Sequence, residues 1–282
     1  MSSGLALLPI AVREEDDIEQ PFVEYLGPDL KGRRNALSLW PEDLAELYEM
    51  DLTRYRTLES GARDLLGPAR NLVDELIAME AFVTSETARL IEDVPDEGTV
   101  VLNAVVDQDE FAAGYPDART LRLKKPYPVT LQYVAVGRVA AELRRLGRNV
   151  EVYRGDRRFD LAAARSAVGL GKAETAHLLG INPKSYNATE RTRGVREASL
   201  NDLQAVDDFI AAAAGALEVT EKSGVSVVWL RAGQGLFEKT YPNARVQRSG
   251  TPYPVRMLWI AAGRRAGVLA AAGHAVRIAV NN

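Results

Sequence analysis

Residues 99–153, TVVLNAVVDQDEFAAGYPDARTLRLKKPYPVTLQYVAVGRVAAELRRLGRNVEVY, return from Val225 as VSVVWLRAGQGLFEKTYPNARVQRSGTPYPVRMLWIAAGRRAGVLAAAGHAVRIA. Tyr115 and Tyr241, Pro126 and Pro252, and Gly147 and Gly273 keep one offset of 126 residues without a gap. Roughly 19 of about 56 aligned positions are identical, a match well above chance for a repeat of this length. Working outward, each copy is preceded by a second match. Residues 30–61, LKGRRNALSLWPEDLAELYEMDLTRYRTLESG, align with residues 161–192, LAAARSAVGLGKAETAHLLGINPKSYNATERT, at an offset of 131 that links Tyr55 to Tyr186 and Glu59 to Glu190. Loops absorb the five-residue difference. The expected fold class is α+β: two pseudo-repeats, each a helical helix-turn-helix unit followed by a small mixed α/β unit.

The segments expected on this basis are an N-terminal extension (1–28), a first helix-turn-helix unit with its following helix (29–98) and a first α/β unit (99–154). A polar linker (155–160) centred on Gly155-Asp156-Arg157-Arg158 leads to a second helical unit (161–224) and a second α/β unit (225–282). Val100–Val106, Val150–Tyr153, Val225–Leu230 and Val276–Val280 are β-branched runs that read as strands. Asp109–Tyr115 reads as a short helix, and Val129–Leu146 and Val255–Ala272 as long amphipathic helices closed by Gly147 and Gly273. The PYPV stretch before each long helix holds an extended entry. The α/β segments carry spare edges and long helical faces on which the halves are expected to dock.

In the second helical unit, Leu161–Val168 forms a helix ending at Gly169. Lys172–Leu179 forms another, with Ala173, Ala176 and Leu179 on one face. Gly180 supplies the positive φ that closes it, Asn182 is a good N-cap, and Pro183 suits the first helical position. Helix, short Gly-containing turn, helix is the helix-turn-helix signature. The stretch RSAVGLGKAETAHLLGINPKSYNATER resembles the lambda-repressor/Cro (Xre-type) helix-turn-helix family over about 35 residues. The following YP-N-AR and PYPV segments resemble, with less motif content, the small YdiL-like bacterial regulators.

The resemblance implies a repressor-like transcription regulator whose third helix enters the major groove of double-stranded DNA. Carried over by position, Lys172 falls at a phosphate contact. Pro183, Lys184, Asn187 and Ala188 fall where base-edge readers sit, with Ser185, Asn182 and Arg191 beside them. Asn187 suits adenine and Lys184 guanine. Tyr186 falls at a buried position. Pro183 and Ala188 depart from the usual polar readers. In the first unit Thr53, Arg54 and Arg56 occupy the corresponding tip. There Glu42, Asp43, Glu46, Glu49, Asp51 and Glu59 outnumber Arg54 and Arg56. In the second unit Arg165, Lys172, Lys184, Arg191, Arg193 and Arg196 outnumber Glu174, Glu190 and Glu197, so phosphate binding favours the second unit.

Composition narrows the alternatives. The 282 residues carry net charge -4 and no cysteine, so disulfides and thiolate chemistry are excluded. Two histidines, His177 and His274, cannot build a histidine metal cluster, and neither a cofactor, a metal nor an enzymatic activity is expected. The run Leu5–Val12 lacks a basic flank and Phe209–Leu217 is too short to span a bilayer, so a cytoplasmic protein without a membrane partner is expected. Gly169–Lys172 lacks the upstream glycine and strand of a phosphate-binding loop. Asp107, Asp109 and Glu110 read as a solvated helix start, His177 as an exposed or packing residue rather than a ligand, and Arg13–Asp17 as an acidic linker. Tyr115, Arg119, Tyr127 and Arg138, echoed by Tyr241, Arg245, Tyr253 and Arg264, read as packing tyrosines with arginines over apolar surface rather than an anion pocket. A protein-interaction adaptor or antitoxin-like module, or further self-association, is the alternative to DNA binding. It rests on the acidic first unit and the negative net charge.

Overall fold

The computed structural model describes residues 23–62, 70–192 and 195–281. The Leu5–Val12 run, the Arg13–Asp17 stretch and Arg193 lie outside the described residues. The first half contributes α1 (Gly27–Ala36), α2 (Pro41–Leu47), α3 (Leu52–Glu59), α4 (Asn71–Glu92), β1 (Val100–Ala104), α5 (Gln108–Gly114), α6 (Thr130–Arg145) and β2 (Val150–Arg154). A short β3 (Arg157–Arg158) leads into α7 (Asp160–Ala167), α8 (Lys172–Leu178), α9 (Pro183–Thr192) and α10 (Glu197–Ala216). The chain ends with β4 (Val219–Lys222), β5 (Val225–Leu230), α11 (Gln234–Thr240), α12 (Arg256–Ala271) and β6 (Ala275–Val280). The α+β class holds, with two three-stranded sheets among the described residues.

Each sheet pairs one strand across a helical crossover. β1 runs parallel to β2 from Val100 opposite Val150, and β5 runs parallel to β6 from Val225 opposite Ala275. Burial alternates along β1, with Val100, Leu102 and Ala104 inward. The expected strand to Val106 stops at Ala104 because side chains take the next amides: Gln132 Oε1 accepts Val105 N–H at 3.4 Å, and Glu110 accepts that of Val106. The PYPV entries are held alike. Gln108 Oε1 accepts Val129 N–H at 2.8 Å, and Gln234 Oε1 accepts Val255 N–H at 2.7 Å, satisfying amides where α6 and α12 begin. Under each entry Phe82 or Phe209 stands edge-on to three rings: Phe111, Tyr115 and Tyr127 in one half, Phe237, Tyr241 and Tyr253 in the other.

Two segments behave differently from expectation. The linker 155–160 is a tight hairpin: β2 and β3 pair antiparallel through Arg154 opposite Arg157, and Gly155 takes φ +60° at the two-residue turn. Val219–Lys222, inside the segment read as helical, is a strand, because Ser223 and Gly224 at φ +52° and +76° fold it back onto β5.

The halves interleave through α1 and α7 rather than docking sheet against sheet. α1 lies along α12 of the other half, and α7 lies along α6. Glycines make both crossings close: a Cβ on Gly263 would sit 2.3 Å from the Gly32 carbonyl oxygen, and one on Gly137 would sit 2.2 Å from that of Ala163. The neighbouring arginines bridge onward, Arg138 donating to the Ala36 carbonyl at 2.7 Å and Arg264 to that of Ala167 at 2.8 Å. Beyond the apolar-surface role expected of them, each satisfies a terminal carbonyl that α1 or α7 leaves unpaired. Buried aspartates pin the opposite ends of the same helices to strands. Asp29 accepts Ile278 N–H of β6 at 2.6 Å, and Asp160 accepts Val152 N–H of β2 at 3.1 Å.

Candidate nucleic-acid interface

The helix-turn-helix of the second half is built from a few local interactions. Gly180 closes α8 at φ +65°, and Asn182 Oδ1 accepts Lys184 N–H at 2.9 Å, capping α9 behind Pro183. Only Tyr186 and Glu190 of α9 turn inward, at 2% and 9% exposure. The Tyr186 hydroxyl donates to Glu190 at 3.0 Å. Glu190 also receives Arg165 of α7 at 2.9 Å and Lys172 of α8 at 3.2 Å, so one carboxylate ties all three helices. Burial pushes the Glu190 carboxyl up, but Arg165, Lys172 and the Tyr186 hydroxyl outweigh it and hold it below the usual carboxylate range. Arg165, read from sequence as a surface base, is thus a partly buried structural cation.

The rest of α9 faces solvent: Lys184, Ser185, Asn187, Ala188 and Arg191 are exposed, as are Asn182 and Pro183 at its start. Five of the expected residues come together. Lys172, Lys184, Asn187, Ala188 and Arg191 line one cleft of about 450 Å³ between α9 and the β2–β3 hairpin. Its far wall is Arg154, Arg157 and Arg158, its floor includes Tyr133 and Phe159, and Arg165 and Glu190 sit at its back. Seven cations therefore face one carboxylate. Arg158 is committed to Asp160 and Glu151 at 2.8 and 2.9 Å. Arg154, Lys184 and Arg191 have no carboxylate at ion-pair distance among the described residues. Asn182, Pro183 and Ser185 lie outside the cleft, on the exposed first turn of α9 and its cap.

The hairpin arginines are absent from the expected readers because the sequence places Arg154 at the end of an α/β unit and Arg157 and Arg158 in a connecting linker. The usable signal is local: Gly-Asp between a β-branched run ending in Arg154 and the pair Arg157-Arg158 reads as a two-residue hairpin turn.

The first half shares the frame but not the chemistry. Asp51 caps α3 by accepting Arg54 N–H at 3.0 Å, Tyr55 is fully buried, and Arg34 pairs with Glu59 as Arg165 does with Glu190. The corresponding groove, about 440 Å³, holds Trp40 and Trp259, with Arg256 4.1 Å from the Trp40 ring centre and Lys31 4.5 Å from that of Trp259. Arg56 is paired with exposed Glu42 at 2.6 Å in this groove. Arg54 lies in a separate recess beside Glu75 and Arg122, and Thr53 is exposed on α3. These three residues do not share one surface recess.

The two helix-turn-helix units touch at their inner corners. Trp40, at the start of α2, packs over Gly171 at the start of α8, and Gly169 lies against the Asn35 carbonyl. Elsewhere, Asp107 caps α5 through the amides of Asp109 and Glu110, and His177 is exposed. Among the described residues no group of carboxylates and histidines has metal-site geometry, and no helix is long and apolar enough to cross a membrane. No family model, curated protein or solved structure matches the chain.

Proposed function

We propose that the chain is a sequence-specific DNA-binding regulator of the repressor-like kind, its two halves acting as an intramolecular pseudo-dimer. One observation carries the reading: α9 spends only Tyr186 and Glu190 on packing, and its free face carries Lys184, Asn187 and Arg191 beside a cleft of surplus positive charge. An exposed helix with a lysine and an asparagine one turn apart offers donors and acceptors to base edges, and the cations around it displace counterions from phosphate. The contact of Trp40 with Gly171 links the second reader rigidly to the first, so each raises the other's effective concentration on one duplex. Because Asn187 of α9 corresponds to Arg56 of α3, the two half-sites differ, and the preferred operator is an imperfect inverted repeat.

Selection from random DNA tests this directly: an imperfect palindrome is expected, and a perfect inverted repeat speaks against the paired readers. Lys184→Ala and Asn187→Ala each relax base preference at one position by about 1–3 kcal/mol, whereas Lys172→Ala weakens every sequence alike. Unchanged specificity in the first two variants rejects α9 as the reader. The exposed acids Glu42, Asp43, Glu46, Glu49 and Asp51 favour a second reading, a protein-binding adaptor. A flat salt response together with a stable protein complex selects it.

A further inference from the structure

We infer that the β2–β3 hairpin is a phosphate-gripping wall, and that a phosphate group seats between it and α9. This rests on the proposed DNA reading for its preferred source, a phosphodiester of the bound strand, but the site's chemistry stands on its own geometry. Arg154 and Arg157 flank a two-residue turn whose tip, Gly155 and Asp156, is exposed, and both arginines face the cleft that Lys184 and Arg191 face from the opposite side. Among the described residues, Arg157 meets only the solvent-exposed Asp156, at 3.8 Å, and Arg154 meets only the face of Phe159, 4.8 Å from its ring centre. Neither guanidinium is neutralised inside the fold, in contrast to Arg158 and Arg165, whose carboxylates are in place. Cations on two facing walls attract a multiply charged anion, and guanidinium forks bind two phosphate oxygens at once.

The other half has no such wall. At the 126-residue offset Arg154 of β2 corresponds to Val280 of β6, and at the 131-residue offset Arg157 corresponds to Leu26. The grip is therefore one-sided: the half-site under α9 is held by phosphate contacts that the half-site under α3 lacks.

The test uses the full chain, its Arg154→Ala/Arg157→Ala double variant, and Arg157→Glu. The last substitution sits at an exposed turn with no buried partner and leaves packing intact. Two probes separate the sources of phosphate: a random-sequence duplex titrated at several salt concentrations, and inorganic pyrophosphate titrated by calorimetry. With the duplex, the double variant should lower the slope of log K against log salt by about 1.8 and Arg157→Glu by about 0.9, equally for all sequences and without altering base preference. If the wild-type chain binds pyrophosphate but no duplex, and the variants lose it, the site holds for a free phosphate ester and the DNA reading falls. If the variants match the wild type with both probes, or the wild type binds neither, the inference is overturned.

Discussion

Replacing Gly137 or Gly263 with alanine opposes two effects of known size. Inside a helix, alanine is favoured over glycine by about 1 kcal/mol, so the change stabilises any helix with room for a methyl group. Here a Cβ on Gly137 lies 2.2 Å from the Ala163 oxygen, 2.8 Å from its carbonyl carbon and 3.0 Å from the Ala167 Cβ. On Gly263 the corresponding contacts are 2.3 Å to the Gly32 oxygen and 2.7 Å to the Ala36 Cβ. Ordinary contact begins near 3.4 Å, so each helix pair must separate by more than 1 Å, and the obstruction is backbone that no rotamer change can move aside. Forcing a methyl group into such a site costs roughly 1–3 kcal/mol, at times more. Because the obstruction is backbone, crowding falls at the upper end of that range and wins, and each variant should be less stable by up to about 2 kcal/mol. Gly215 of α10 supplies the internal control: nothing lies within 4 Å of its Cβ position, and Gly215→Ala should be neutral or stabilising by up to about 1 kcal/mol. Urea unfolding followed by tryptophan fluorescence measures all three. If Gly137→Ala and Gly263→Ala stabilise the chain as Gly215→Ala does, α6 does not cross α7, nor α12 α1, at the separation described.

Glu190→Gln removes the carboxylate that neutralises Arg165 and Lys172, and should cost about 3 kcal/mol, the low end for breaking a buried pair because Arg165 keeps 16% exposure. A loss below about 1 kcal/mol in urea unfolding would place this cluster in solvent. Asp29 is the opposite electrostatic case. Burial, only partly offset by Arg33 and by the Leu26 and Ile278 amides, raises its carboxyl from 3.8 to about 6. A raised folded-state value means its contribution is fully present below pH 3.8 and is lost as pH rises through about 6. Relative to Asp29→Asn, the wild-type unfolding free energy should therefore fall by about 2 kcal/mol between pH 4 and 6, out of about 3 kcal/mol over the whole titration. A difference that stays constant with pH in that window contradicts a buried, titrating Asp29.

The sequence resolves what is local. Gly180, Asn182 and Pro183 mark the turn between α8 and α9 to the residue, and β5 spans Val225–Leu230 as its β-branched run indicates. Glycines and prolines act through their own φ angles, so their signals need no tertiary context. The interleaving of the halves was not legible, because nothing local to Asp29 indicates that it accepts the Ile278 amide 249 residues away. Nor does the composition of α7 separate Arg165, bound to Glu190, from the cations left free around it. The charge surplus of the second unit was visible as a sum. Its concentration between a hairpin and a helix depended on a fold-back at Gly155 that brings residues 154–158 up to residues 184–191.

The two grooves show what joining both halves in one chain permits. In a symmetric homodimer every substitution appears twice, so a groove cannot gain cations without its mate gaining them too. Here the position of Lys172 in one groove is Pro41 in the other, Asn187 is Arg56, Tyr133 is Trp259, and Arg154 is Val280. The shared positions are those that hold the frame: Arg34 and Arg165 with their glutamates, Tyr55 and Tyr186 beneath the third helices, Asp29 and Asp160 on the strands, and Gly137 and Gly263 at the crossings. Packing demands are the same in both halves, and those residues match. Surface demands differ, and the grooves diverge into one lined with unpaired arginine and lysine and one lined with tryptophan under paired charge. A duplex lying across both units would then meet strong phosphate attraction under α9 and little under α3, because Arg56 is already held by Glu42. On the proposed DNA reading, the second unit would supply most of the affinity and the first would set direction along the DNA.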